Sequence, residues 1–175
     1  SSIAFCESLD FTYLETYSFQ RGANYQAELG KGFEALQHLK RRKDKKGNIS
    51  TLEQTELDKL QKYYGSTQYL IDEGGAIHPT AVKTGTFFKD VPFVDRLLEI
   101  LHTPIVEVPR WMCAPFYRDA IIFYDQANRI VSPLNVCLGC EEMEIGPFNH
   151  VDADTKTYVL MRRFFESIGH QVEDE

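Results

Sequence analysis

The chain has 175 residues, 43% of them hydrophobic and 26% charged, a balance that suits one soluble domain with a buried core and excludes a disordered chain. A net charge of −7, from 19 basic and 26 acidic residues, repels phosphate backbones at long range and argues against nucleic acid as a partner. No run approaches the roughly 18 apolar residues of a membrane span, and Ser1–Cys6 lacks the charged start and long apolar stretch of a signal peptide. A start at Ser1 without Met is expected of a processed or trimmed chain. A removed export signal would fit, so export is favoured slightly over the cytoplasm.

Residues 1–20 carry Phe11, Tyr13, Tyr17 and Phe19 at alternating positions, which reads as a strand or an extended arm. Residues 23–64 read as a helical hairpin. Tyr25, Leu29, Phe33 and Leu36 recur at helical spacing and build one apolar stripe. Gly30 and Gly32 interrupt it, at about 1 kcal/mol each against Ala, so packing holds the helix or a neighbour comes close at a glycine. Gly47-Asn48 supplies the turn. Ser50 with Glu53 three residues on is a capping box for the second helix, which shows Leu57, Leu60 and Tyr64 on one face and stops at Gly65.

Residues 66–92 are punctuated by Gly74-Gly75, His78-Pro79 and Gly85 and read as irregular. A short helix runs from an Asp90 cap through Leu101, with Pro92 in its first turn. Residues 105–145 read as the β-region. Ile105–Val108 is one strand, Arg118–Tyr124 and Arg129–Val136 form a hairpin, and Glu141–Ile145 alternates as a further strand. A last amphipathic helix over 153–168, capped by Asp152 or Asp154, lines Tyr158, Met161, Phe165 and Ile168 on one face. The tail from Val172 to Glu175 is acidic and expected to fray. Helices, then strands, then a helix argue for a single α+β domain over 1–175: an N-terminal helical hairpin, a small antiparallel sheet and a C-terminal helix packed on that sheet.

The sharpest chemical hint is a set of three cysteines and a histidine, Cys113, Cys137, Cys140 and His150. A hairpin reversal about Gln126-Ala127 sets Cys113 opposite Cys140. Opposed residues on antiparallel strands have Cα atoms about 4.5–5.5 Å apart, within reach of a disulfide. Four readings compete. A Cys113–Cys140 disulfide, or one within Cys137-Leu-Gly-Cys140, would staple the hairpin. Cys113, Cys137, Cys140 and His150 together are a Cys3His zinc set. Four reduced cysteines in an apolar core is the plain alternative. A redox thiol is disfavoured because Glu141, Glu142 and Glu144 would raise a neighbouring thiol pKa. Pro133 warns of a bulge, which would shift the register. Cys6 has no legible partner.

Other candidates weigh less. Lys40–Lys46 is a basic run at the bend of the helical hairpin; it could grip an acidic partner, but a solvated helix end complementing the helix dipole is the simpler account. Cys113 with His150 or His78 could in principle form a nucleophile pair. Asp119, Asp125, Glu142 and Glu144 offer paired carboxylates, although carboxylates on exposed strands mostly serve solubility. Asp125 near Asn128 is turn chemistry, and Arg118-Asp119 suggests an ion pair. Gly74-Gly75 lacks the rest of any phosphate-binding loop. Trp111, among Met112, Pro115, Phe116 and Tyr117, reads as a plug over the sheet, with an interaction surface as the rival reading.

No convincing nucleophile–base pair and no cofactor loop are legible. The function expected is therefore a non-enzymatic binding protein with a cysteine-stapled β-hairpin and a protein partner, with no cofactor. The alternative is a zinc- or thiol-dependent enzyme using Cys113, Cys137, Cys140 and His150.

Overall fold

Strand β3 (Asp119–Tyr124) is buried along five of its six residues, because both of its faces are covered. The computed structural model describes residues 1–110 and 112–172; the expectations for Trp111 and for the last three residues lie outside the described residues. The chain forms two compact units, Ser1–Phe19 with Tyr69–Glu175, and Gln20–Gln68.

In the first unit β3 lies between β1 (Tyr13–Ser18) and β4 (Ile130–Cys137). Strand β2 (Val82–Phe88) adds outside β1, and the short β5 (Glu142–Glu144) adds outside β4. The sheet is antiparallel in the order β2-β1-β3-β4-β5. One face presents Leu14, Ile121, Phe123, Leu134, Val136 and Met143. Against it lie α1 (Ser2–Ser8), α4 (Pro92–Leu101) through Val94, Leu97 and Leu101, and α5 (Thr155–Ser167) through Met161, Phe164 and Phe165. Each such buried side chain stabilises by roughly 1.5–3 kcal/mol, which makes this layer the main source of stability. The α+β architecture and the C-terminal helix on the sheet are as the sequence indicated.

The opposite face presents Tyr17, Ala120, Ile122 and Cys137, which cluster with Phe19, Leu70 and Tyr117. Helix α5 begins at Asp154, whose Oδ1 accepts from the Lys156 N–H at 2.9 Å while Oδ2 accepts from the Val106 and Glu107 N–H groups at 2.8 and 3.0 Å. Those donors, Glu107 and Val106 first and then Lys156, hold the Asp154 carboxyl below the usual carboxylate range. One carboxylate thus caps a helix and ties down the loop that the sequence had offered as a strand.

The second unit is the expected helical hairpin, α2 (Gly22–Lys46) and α3 (Thr51–Gly65). Gly47 ends α2 in the left-handed region (φ 71°), and the Ser50/Glu53 capping box opens α3. Tyr64 lies over Gly32, where a Cβ would collide with its ring hydroxyl, so the glycine allows the two helices to approach. Tyr64 Oη also donates to the Leu29 carbonyl at 3.3 Å. Residues 41–46 of the basic run are exposed, and Arg42 pairs with Glu53 at 2.8 Å.

Several expectations are corrected. Residues 1–20 are not an extended arm: Ser2–Ser8 is a helix capped by Ser1, too short to show helical periodicity, and β1 sits inside the sheet. The irregular stretch 66–92 contains β2, whose largely exposed edge position removes the hydrophobic alternation that marks a strand. Ile105–Val108 is not a strand, since its backbone donors go to Asp154. Helix α4 is capped by Val91 without a side-chain bond, not by Asp90. The β3–β4 register pairs Asp119 with Val136 and Ile122 with Pro133, two residues away from the register that would oppose Cys113 and Cys140, and it shifts at Phe123/Tyr124. The cause is the turn. Asp125 Oδ1 accepts from the Ala127 and Arg129 N–H groups, and Asn128 is left-handed at φ 59°, which makes a longer reversal than a tight two-residue loop.

Candidate functional site

Loop 102–118 and the β4–β5 turn meet at one end of the sheet. There the Sγ atoms of Cys113 and Cys140 stand at disulfide distance, with Cα atoms 6.3 Å apart and 27 residues between them in sequence. They meet through loops beyond the strand ladder, not by strand register. Cys137 is buried beneath the pair, and its Sγ accepts from the Phe116 and Cys140 N–H groups, both at 3.4 Å. Cys6 is remote, buried in the core among α1 and its neighbours, and burial raises its thiol pKa.

His150 does not join the sulfurs. Its backbone bridges to Glu144, and its Nδ1 lies 2.8 Å from Glu142 Oε1 and 3.0 Å from Glu144 Oε1. Glu142 and Glu144 point the same way because side chains on one strand alternate, and the intervening Met143 enters the core. Glu144 is only 3% exposed, which for a carboxylate demands partners. Tyr69 Oη donates to its Oε2 at 2.5 Å, and Asn135 Nδ2 donates to its carbonyl at 3.1 Å while Asn135 Oδ1 takes the Leu70 N–H at 2.8 Å. Burial, reinforced by Glu144, raises the phenol pKa of Tyr69 and of Tyr117. Those hydroxyls stay protonated and able to donate. Beside this group is a cavity of about 150 Å³ rimmed by Arg110, Glu141, Asp152 and Tyr158.

The four residues Cys113, Cys137, Cys140 and His150 therefore divide into a sulfur group and an imidazole–carboxylate group. Glu142, Glu144 and His150 each offer one donor atom, all within 4.8 Å of one another. The partners that sequence reasoning missed are Tyr69 and Asn135. Only the fold brings Tyr69 to a residue 75 positions away, and no local pattern marks it.

A second imidazole–carboxylate pair lies on the other side of the sheet. His170 Nδ1 is 2.6 Å from Asp119 Oδ1, and His170 Nε2 is 2.6 Å from Thr84 Oγ1, which also meets Thr16 Oγ1 at 2.8 Å. Thr84 is the extra residue of a bulge, between the Thr16–Gly85 and Tyr17–Lys83 pairs, and the bulge turns its hydroxyl toward the histidine. The order carboxylate–imidazole–hydroxyl resembles a nucleophile relay. With the His170 and Asp119 side chains 0% and 1% exposed, no substrate reaches the imidazole, and the chain of bonds acts as a structural joint.

Comparison with protein-family models, curated proteins and solved structures finds no match for this chain. No helix among the described residues is long and apolar enough to cross a membrane.

Proposed function

We propose that this chain is a non-enzymatic binding protein that takes a protein partner at the edge built from the Cys113/Cys140 loops and the 146–150 turn. The observation that carries this reading is Phe148. It sits in the left-handed region at φ 62° and is 90% exposed, at the tip of a turn closed by Asn149 N–H to Gly146 O and Ile145 N–H to Asn149 O. A bulky residue pays in backbone strain there, and water gains nothing from the exposed ring. Met112 and Val106, on the loop that carries Cys113, are exposed as well. Aromatic and Met side chains held by a rigid frame are the usual anchors of a protein interface. The acidic groups nearby, Glu141, Glu142 and Asp152, favour a partner with basic residues around an apolar pocket.

The test is affinity capture with the whole chain, comparing wild type with Phe148→Ala. A partner held stoichiometrically by the wild type and lost by the variant, with thermal stability unchanged, is the expected result. Retention of the partner by the variant, or real turnover against a broad substrate panel, would contradict it.

One observation favours a second reading, a zinc-dependent enzyme. If Cys113 and Cys140 are joined, the Cys3His set loses two ligands, but Glu142, Glu144 and His150 keep a donor set suited to a divalent cation. Tyr69 would orient Glu144 from behind. Zinc titration followed by calorimetry and a turnover assay decides: stoichiometric binding and zinc-dependent turnover, both abolished by His150→Ala, support this reading, and binding only at millimolar zinc removes it.

A further inference from the structure

We propose that the open end of the sheet's second face, at β1, β2 and the β3–β4 turn, is a binding site for a neutral saccharide. The register Phe88–Tyr13–Tyr124 sets three aromatic rings side by side across β2, β1 and β3. Tyr13 and Tyr124 stack with centroids 4.8 Å apart and planes 8° apart, and Phe88 follows at 6.0 Å from Tyr13, its plane turned by 49°. Phe88 is 58% exposed, so the row ends in an apolar platform open to water.

A cavity of about 430 Å³ opens here, with Glu15, Lys83, Thr86, Asp125 and Asn128 among its lining residues. That size lies within the roughly 300–1,000 Å³ of small-ligand sites, and a lining that is polar apart from the Phe88 and Tyr13 rings suits a ligand rich in hydroxyls. The polar groups are held in place. Glu15 takes the Tyr17 hydroxyl at 2.6 Å and Lys83 Nζ at 2.9 Å. Asp125 takes Arg129 Nε at 2.8 Å, and Tyr13 Oη donates to Asn128 Oδ1 at 3.2 Å, which turns the amide's N–H groups to other acceptors.

The charge pattern selects the ligand. Each carboxylate already has its own cation, Lys83 for Glu15 and Arg129 for Asp125. A quaternary ammonium, which such rings would otherwise suit, finds no uncompensated negative charge. A nucleotide base could stack on Phe88, but the cations here, Lys83 and Arg129, are already held by Glu15 and Asp125, so nothing at the site draws its phosphate to a chain of net charge −7. A pyranose meets neither objection. Its C–H face covers the exposed Phe88 ring, and its hydroxyls donate to the Glu15 carboxylate, accept from the Asn128 amide N–H groups and exchange either way with the Thr86 hydroxyl.

The experiment uses the whole chain on an array of immobilised neutral oligosaccharides (gluco-, manno-, galacto- and N-acetylglucosamine series), followed by calorimetry with the best binder. Phe88 is exposed, and glycine tolerates the left-handed backbone of position 128, so Phe88→Ala and Asn128→Gly should fold as wild type by circular dichroism. The expected result is saturable binding weakened about tenfold or more by each variant and unaffected by Phe148→Ala. That last comparison separates this site from the proposed partner edge. Absence of binding across the neutral series, binding confined to sulfated or sialylated glycans or to choline, or binding indifferent to Phe88→Ala would each overturn the assignment.

Discussion

Two histidines of this protein face carboxylates across the same distance range, and their surroundings make them different objects. His170 is sealed between Asp119 and Thr84 and joins the segment after α5 to strands β2 and β3. His150 is half exposed, beside Glu142 and Glu144 at a cavity and two residues from a displayed phenylalanine. A polar contact inside the core is a constraint on folding. The same contact at a rim leaves its groups available to something outside. Removing a group from the core leaves a cavity and breaks bonds that water cannot replace, whereas a rim pair is screened by water.

The largest expected effect tests that distinction directly. His170→Ala should destabilise by about 2–5 kcal/mol, because it empties the space of a fully buried ring stacked on Phe165 and breaks the bonds to Asp119 and Thr84. His150→Ala should cost less than about 1 kcal/mol. Denaturant melts of the two variants give both numbers, and equal losses would erase the contrast.

The next effect concerns the sulfurs. Before reduction, alkylation of the denatured chain should label Cys6 and Cys137 and spare Cys113 and Cys140. Reduction should then lower stability by roughly 2–4 kcal/mol through the freed loop. Labelling of all four cysteines without reductant would show the joint to be open in solution.

The sequence spoke clearly where structure is local, and poorly where it is not. The capping box at Ser50 and Glu53, the turn at Gly47 and the stripe of α5 depend on neighbours within one helix, and each appears as expected. The meeting of Cys113 with Cys140 was anticipated through a register the hairpin does not adopt. The five-residue reversal at Asp125–Arg129 moves the ladder, and the loops still bring the sulfurs together. Glu144 reads as solvated in the alternation of residues 141–145. Its burial depends on Tyr69 and Asn135, which arrive from another segment and a neighbouring strand. Strand β2 escaped notice because an exposed edge strand has no hydrophobic reason to alternate.

Phe148 sharpens the comparison from the rim side. Phe148→Gly places at φ 62° the residue that tolerates it, and should stabilise the protein by roughly 0.5–1 kcal/mol while abolishing partner capture. A gain in stability with loss of binding is the pattern of a residue kept for what it touches outside the molecule. A variant that is less stable than wild type would mean that the ring is anchored in the protein and not displayed.

The smallest effect concerns the aromatic row at the open end of the second face. Burial, followed by the nearby Glu15 carboxylate, raises the Tyr124 phenol from its ordinary 10 to about 12. A raised acid pKa means that the folded state holds its proton more tightly than the unfolded state does. The resulting stabilisation is complete below pH 10, declines as the unfolded phenol ionises, and is lost by about pH 12. Tyr124→Phe removes this contribution together with the part of the Tyr17 shift that Tyr124 supplies, and leaves those of Tyr69 and Tyr117, whose phenols burial also raises. The stability difference between wild type and Tyr124→Phe should therefore change between pH 10 and pH 12, against the wild type, and stay constant between pH 7 and pH 9. Urea melts across that range measure it. Parallel curves would place Tyr124 in ordinary solvent and contradict the packing of its ring face to face on Tyr13.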